Sequence, residues 1–226
     1  MLIAELGINH SGNMELAKRM IRAAKEGGAD LVKAQLYNAE DDKGKPHYEA
    51  AKQAQLTFDQ AKELFEYARS IGIEMFFSVF GVEYVQWCEA IGVKRYKIAA
   101  CQALEFQLQA TILETDKPII WSVPRGILTQ HDGLKYPPRI RYLYCILDYP
   151  TPLEHILLPD FSKVDGWSDH TIGMDCAKIA LARGARIIEK HFCLDKSTCY
   201  EGLWSMEPDE LRELKRWEKI CQKVIA

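Results

Sequence analysis

"LIAELGINHSGNMELAKRMIRAAKEGGADLVKAQL", residues 2–36, decides the fold. The short apolar run "LIAE" (2–5) reads as a strand. In "NMELAKRMIRAAKEGG" (13–28), Leu16, Met20, Ile21 and Ala24 fall on one helical face, and the glycine pair ends the helix. "DLVKAQL" (30–36) supplies a second strand. Strand, amphipathic helix and strand in this order make the unit from which parallel sheets are wound.

The same alternation continues outward. Further strands are predicted at "IEMFFSVF" (73–80), "RYKIA" (95–99), "KPIIWS" (117–122), "IRYLYCI" (140–146), "KVDGWS" (163–168) and "ARIIEKH" (185–191). "TFDQ" (57–60) offers a capping box to a helix running through Ser70. Another helix runs through Trp87 to Ile91. The last starts at Pro208, a favoured first helical position, with Leu211, Leu214, Trp217, Cys221 and Val224 on its apolar stripe. Eight such units predict an α/β fold, a compact (β/α)₈ TIM barrel. The competing open doubly wound sheet would carry GxGxxG after its first strand, and none stands there. Two units read as reduced. "VPRGILTQHDGLKYPP" (123–138) has loop chemistry where a fifth helix is due, and "PTPLEHILLPDF" (150–161) permits only a short sixth. The connection up to Thr57 reads as polar.

A chain of 226 residues, 48% hydrophobic, can bury the core of one barrel, so a single domain over 1–226 is expected. Net charge −3 with scattered basic residues argues against nucleic acid. No apolar run reaches the ~18 residues of a membrane span, and the N-terminus lacks a basic leader, so a cytoplasmic protein is expected. The seven cysteines lack zinc-type spacing and read as buried reduced thiols.

Barrel chemistry gathers at the C-terminal ends of the strands. In strand order these ends deliver Glu5 with Asn9 and His10, Lys33 and Gln35, Ser78, Lys97, Ser122 and Arg125, Asp148 and Tyr149, Ser168 to His170, and Glu189 to His191. Two lysines and a glutamate within strand-end segments are costly unless they are paired or face a charged ligand. With Ser78 and Ser122, Lys33 and Lys97 suit a phosphate and a carboxylate, although an isolated lysine more often points to solvent. A lone strand-end histidine is more often structural. His170 and His191 lie at neighbouring strand ends, where two imidazoles with carboxylate or ligand oxygens suit Mn²⁺, Fe²⁺ or Zn²⁺. Glu5 lies within a strand, which disfavours a solvated role. Glu201 lies in a loop, where solvation is the usual fate. His47, His131 and His155 read as surface residues, and Trp87 and Trp217 as core.

The stretch "IAELGINHSGNMELAKRMIRAAKEGGADLVKAQ" (3–35) resembles the opening of the sialic acid synthase (N-acetylneuraminate synthase) family. "YKIAA" (96–100), "YPTP" (149–152), "WSDHTIG" (167–173) and "IIEKHF" (187–192) follow in that family's order. The resemblance covers essentially the whole chain. It implies a transferase of carbohydrate biosynthesis, a barrel enzyme that condenses phosphoenolpyruvate with an N-acyl amino sugar such as N-acetylmannosamine. A divalent metal, usually Mn²⁺, assists, and the products are a 2-keto sugar acid and phosphate. By motif, His170 and His191 would hold the metal. Lys33, Lys97, Ser78, Ser122 and Ser168 would bind phosphoenolpyruvate, with Glu189 beside them. Glu5 would sit at the reacting centre, and Gln35 and Tyr149 would line the acceptor pocket. Glu201 falls where an aspartate commonly contacts the acceptor.

Several positions depart from that pattern. "KIAACQ" (97–102) replaces the usual "KIASGE", so Ala100 and Gln102 stand for a hydroxyl and a carboxylate. "SVP" (122–124) replaces "STG", and Leu147 replaces a common asparagine. The family's C-terminal antifreeze-like domain, which reaches into a dimer partner, is not expected in this chain, so a homodimer would pair through the barrel face. Three readings stay open: an active nonulosonic acid synthase, the same barrel and metal serving another acceptor or reaction, or a non-catalytic binding protein.

Overall fold

Eight parallel strands close into a barrel in sequence order. The computed structural model describes residues 1–124 and 138–224. The strands are β1 (Leu2–Glu5), β2 (Leu31–Leu36), β3 (Glu74–Val79), β4 (Tyr96–Ile98), β5 (Ile119–Pro124), β6 (Ile140–Cys145), β7 (Gly166–Asp169) and β8 (Ile187–His191). Around them, among the described residues, run seven helices. These are α1 (Met14–Gly27), α2 (Tyr48–Ala54), α3 (Phe58–Ser70), α4 (Val82–Ile91), α5 (Phe106–Leu113), α6 (Asp175–Ala182) and α7 (Pro208–Val224). Closure is made by β1 against β8, with Leu2 opposite Ile188 and Glu5 opposite His191. No helix among the described residues is long and apolar enough to cross a membrane.

The capping box read at Thr57 is formed, and α1 has a cap of its own. Asn13 accepts from the Leu16 amide at 3.0 Å at the start of α1, and Thr57 and Gln60 complete a reciprocal capping box at α3. The polar connection before Thr57 contains α2. Its apolar positions Ala51 and Ala54 pack with Ile8, Tyr37 and Ala39, and small alanines give little periodic signal. The segment predicted to lack a fifth helix falls on 125–137, outside the described residues, as do Arg125 and His131. After β6 only a single 3₁₀ turn, Leu153–His155, is present before β7.

The stripe of α7 is rotated from the expected one. Leu211, Leu214, Glu218 and Cys221 are buried, whereas Trp217 and Val224 are exposed. Glu218 turns inward because it pairs with the Met1 ammonium, and Trp217 lies at the seam, its indole donating to the Lys178 carbonyl at 3.0 Å. Trp87 packs on the core as expected. The cysteines are unpaired, and five are buried, but Cys101 is exposed and Cys199 partly so, because both sit on loops at the barrel mouth.

Strand side chains alternate between two cores. Those facing the helices join one large cluster that includes Ala4, Val32, Phe77, Ile98 and Ile188. Those facing the barrel axis form a separate small one: Ile3, Leu31, Phe76, Ile120, Leu143 and Ile187. Two residues further along each strand, the inward positions become Glu5, Lys33, Ser78, Ser122, Cys145 and Glu189. Lys97 reaches this level from β4, and Ser168 from β7. An apolar plug therefore lies beneath a polar layer. Gly166 lets β7 approach β8 at this depth, since a Cβ there would meet the Ile187 carbonyl oxygen at 1.8 Å. Backbone cannot swing aside as a side chain can, so Gly166→Ala should lower unfolding stability by at least ~1–3 kcal/mol, as overpacking does. A urea midpoint equal to the wild type would contradict this packing.

Candidate active site

The polar layer is built from opposite charges delivered by different strands. Lys33, on β2, ion-pairs with Glu5 on β1 and donates to Ser78 Oγ on β3 at 2.7 Å. Lys97, on β4, donates to Ser122 Oγ at 2.8 Å and to its neighbour's carbonyl, Ile98 O, at 3.2 Å. Glu189 stands between the two ammoniums, 3.8 Å from Lys33 and 3.5 Å from Lys97, and accepts from Ser168 Oγ at 3.0 Å. All four charged groups are buried. Burial draws Lys33 down to about 8 against the pull of Glu189. Burial works upward on Glu189 too, yet Lys33, Lys97 and Ser168 outweigh it and hold the carboxyl at about 2. Each ammonium has three donors. Lys33 thus directs one donor to Ser78, and Lys97 directs two to Ser122 and the Ile98 carbonyl, with Glu5 and Glu189 supplying the opposite charge. The second oxygen of Glu189, Oε2, is buried and makes no hydrogen bond among the described residues.

Above this layer stand the two histidines, with ring centroids 5.5 Å apart. His170 Nδ1 lies 3.0 Å from the Ile146 carbonyl, and His191 Nδ1 lies 2.9 Å from Glu201 Oε2. Carbonyl and carboxylate oxygens only accept, so both rings carry their proton on Nδ1. Burial, and then His191, take His170 down to about 3, so it is neutral at physiological pH. Two imidazoles with anchored Nδ1–H, and no hydrogen bond to Nε2 among the described residues, have the form of metal ligands with an outer hydrogen-bonding partner each. Among the described residues no third His, Cys, Asp or Glu joins them in a ligand cluster. Further ligands would therefore come from substrate or water oxygens. Tyr149 stacks on His170 with centroids 4.1 Å apart, and Trp204 stands edge-on to His191 at 6.2 Å.

Layer and histidines open into one pocket of about 660 Å³. Every site residue named from the sequence lines it: Glu5, Lys33, Gln35, Ser78, Lys97, Ser122, Tyr149, Ser168, His170, Glu189, His191 and Glu201. The departures Ala100, Gln102 and Leu147 line it as well. Lys190, next to two of these residues, faces the other way and pairs with Asp169 at 3.0 Å. Asp148, at the end of β6, is spent on His155 at 2.7 Å, outside the pocket.

Other lining residues were not read from sequence. Asp42, Lys45 and His47 come from the segment around α2, and Cys101, Tyr200 and Trp204 from mouth loops. His47, expected at the plain surface, is partly covered at the pocket mouth because Asp42 holds it at 3.2 Å. His155 is exposed, as expected. Asn9 and His10 are buried. Asn9 donates to Phe192 O at 3.1 Å and accepts from the Glu201 amide at 3.0 Å, which pins the 199–205 loop to the end of β1.

Residues 20–225 match the model of the NeuB family. The chain is 33% identical over 246 residues to pseudaminic acid synthase of Campylobacter jejuni, covering 94% of this chain and 71% of that one. The chain belongs to the NeuB family. To N,N'-diacetyllegionaminic acid synthase of Legionella pneumophila it is 30% identical over 259 residues, covering 100% of this chain and 73% of that one. The crystal structure of N-acetylneuraminic acid (sialic acid) synthetase from Leptospira borgpetersenii, in complex with citrate, superposes with a TM-score of 0.88 at 27% identity, covering 100% of this chain and 84% of that one. This NeuB family chain is thus an enzyme of the sialic acid synthase type, a transferase of carbohydrate biosynthesis on a TIM barrel.

In this NeuB barrel the contact between Glu201 and His191 depends on Gly7. Its φ is +50°, and a Cβ there would lie 1.9 Å from Glu201 Oε2 and 2.9 Å from His191 Nδ1. Gly7→Ala should cost ~1–2 kcal/mol of stability from the left-handed backbone. It should lower turnover by ~10-fold or more by displacing the carboxylate behind a ligand-type histidine. Wild-type turnover in this variant would show that the contact is dispensable.

Proposed function

We propose that this chain condenses phosphoenolpyruvate with an N-acyl amino sugar of the N-acetylmannosamine type, releasing a 2-keto sugar acid and phosphate. The observation that carries the reading is the buried pair of lysines, each bonded to a serine hydroxyl, at the floor of a pocket whose upper wall holds two oriented imidazoles. The synthase relatives agree with it.

Lys33 with Ser78, and Lys97 with Ser122, would receive the phosphate and carboxylate of the donor through charge-assisted hydrogen bonds. Ser168 adds a hydroxyl beside Glu189. Glu189, ionised and between the ammoniums, holds them in place, so the donor would meet a preorganised cradle. His170 and His191 would hold a divalent ion, Mn²⁺ in this proposal, which supplies Lewis acidity to an aldehyde oxygen when bound. The donor's methylene carbon attacks the aldehyde carbon of the open-chain sugar, forming the new C–C bond. Positive charge develops at the donor's C2, where water adds. The C2–O bond to phosphate then breaks, and the leaving group stays against the lysines. Glu5, in contact with Lys33 and accepting from the Gly7 amide at 2.6 Å, would take and return the proton of that water. Gln35 and Tyr149 would flank the acceptor. Tyr149 is half exposed at the mouth, where a sugar would enter.

Phosphate release from phosphoenolpyruvate with Mn²⁺, across a panel of N-acyl amino sugars, tests this directly. Release should require metal, be abolished by chelation, and occur with a particular acceptor. His170→Ala and His191→Ala should each abolish it. Release that survives in both variants would remove the metal assignment, and none with any acceptor in folded, metal-loaded protein would remove the synthase reading.

Lys33 adds a pH signature. With its ammonium drawn down to about 8, the free enzyme loses this charge as pH rises through that value. kcat/KM for phosphoenolpyruvate, which reports the free enzyme, should therefore fall above about pH 8. A flat profile to pH 10 would show that Lys33 does not serve the donor as a cation.

A further inference from the structure

The resemblance places Glu201 at an acceptor-contacting position, but its surroundings give it a different partner. Its Oε2 lies 2.9 Å from His191 Nδ1 and accepts from the Ile8 amide at 3.0 Å. The backbone beneath it is clamped at both ends, its amide by Asn9 Oδ1 at 3.0 Å and its carbonyl by Ser205 Oγ at 2.8 Å. The side chain is buried at the pocket wall, and Gly7 leaves the room that its Oε2 occupies. A carboxylate serving a sugar hydroxyl alone would leave both of its oxygens to the pocket. Here the oxygen that meets His191 is already shared with a backbone amide. The paired histidine, His170, has a carbonyl in the same position on its ring, so both imidazoles are held from behind in the same tautomer.

We propose that Glu201 is a positioning residue: it acts through His191, fixing the Nδ1–H tautomer and the ring plane so that Nε2 faces the pocket. The inference rests on the reading of His170 and His191 as holders of a divalent ion. Outer-shell carboxylates of this kind orient the imidazole and raise its basicity, and their loss typically costs 10–100-fold in metal affinity. The side chain is one methylene longer than the aspartate that the resemblance leads one to expect, which lets it reach His191 from a loop beginning eight residues further along the chain.

The test compares Glu201→Gln and Glu201→Asp with wild type in the full chain. Mn²⁺ binding is measured by calorimetry without substrates, acceptor KM at saturating Mn²⁺, and the ¹⁵N shifts of His191 in metal-free protein. Unchanged circular dichroism and melting behaviour in either variant shows that it folds. Positioning predicts ~10–100-fold weaker Mn²⁺ binding in both variants, a weakened Nδ1–H tautomer in the ¹⁵N spectrum, and an acceptor KM that moves by less than about threefold. An acceptor KM raised tenfold or more, with Mn²⁺ affinity and the His191 spectrum as in wild type, would overturn the proposal and return Glu201 to the sugar. Wild-type protein that binds no Mn²⁺ would sink the metal reading itself. In that case an unperturbed His191 tautomer in the variants would separately dispose of the Glu201 role.

Discussion

Two lysines and two glutamates share the dry interior of the barrel, and their mutual pairing is the condition under which the rest can fold. Desolvating one such ion costs several kcal/mol, and removing a single partner leaves the other stranded. Glu5, Lys33, Lys97 and Glu189 come from β1, β2, β4 and β8, so the pairing ties together strands from both ends of the chain. The hydroxyls of Ser78, Ser122 and Ser168 complete the solvation that water would otherwise provide. Strain of this kind is tolerated where function requires it. Replacing the layer with leucine and valine would pack well, and it would also leave nothing able to hold an anion.

The two histidines illustrate a second constraint. A ring nitrogen is useful in a pocket only if the other nitrogen is occupied from behind. The backbone carbonyl of Ile146 does this for His170 at no cost in side chains. His191, at the end of the last strand, has no such carbonyl and draws instead on a loop carboxylate, which in turn needs Asn9, Ser205, the Ile8 amide and the absence of a side chain at Gly7. A single imidazole thus accounts for much of the architecture between β1 and α7.

Most of the barrel and its floor were legible in the sequence, because strands that run between two apolar environments stand out when a lysine or glutamate interrupts them. The interruptions at Lys33, Lys97 and Glu189 mark both the strand ends and the site. What remained hidden lacks periodicity. The segment around α2 is built on alanines, so its helix and the mouth residues Asp42, Lys45 and His47 were taken for plain connection. Glu201 sits in a loop, where burial is decided by contacts nearly two hundred residues away in sequence, at Ile8 and Asn9. Trp217 yields the inner face of α7 to Glu218, since an ion pair with the Met1 ammonium outranks the helical stripe.

Among the described residues, the apolar plug formed by Ile3, Leu31, Phe76, Ile120, Leu143 and Ile187 closes the interior beneath the lysines. Whatever rests on the lysines has to arrive by the route that the upper guest later occupies. On the synthase reading this geometry dictates traffic: the small donor goes in first, the sugar follows and seals it in, and inorganic phosphate leaves last, once the new acid has cleared the doorway.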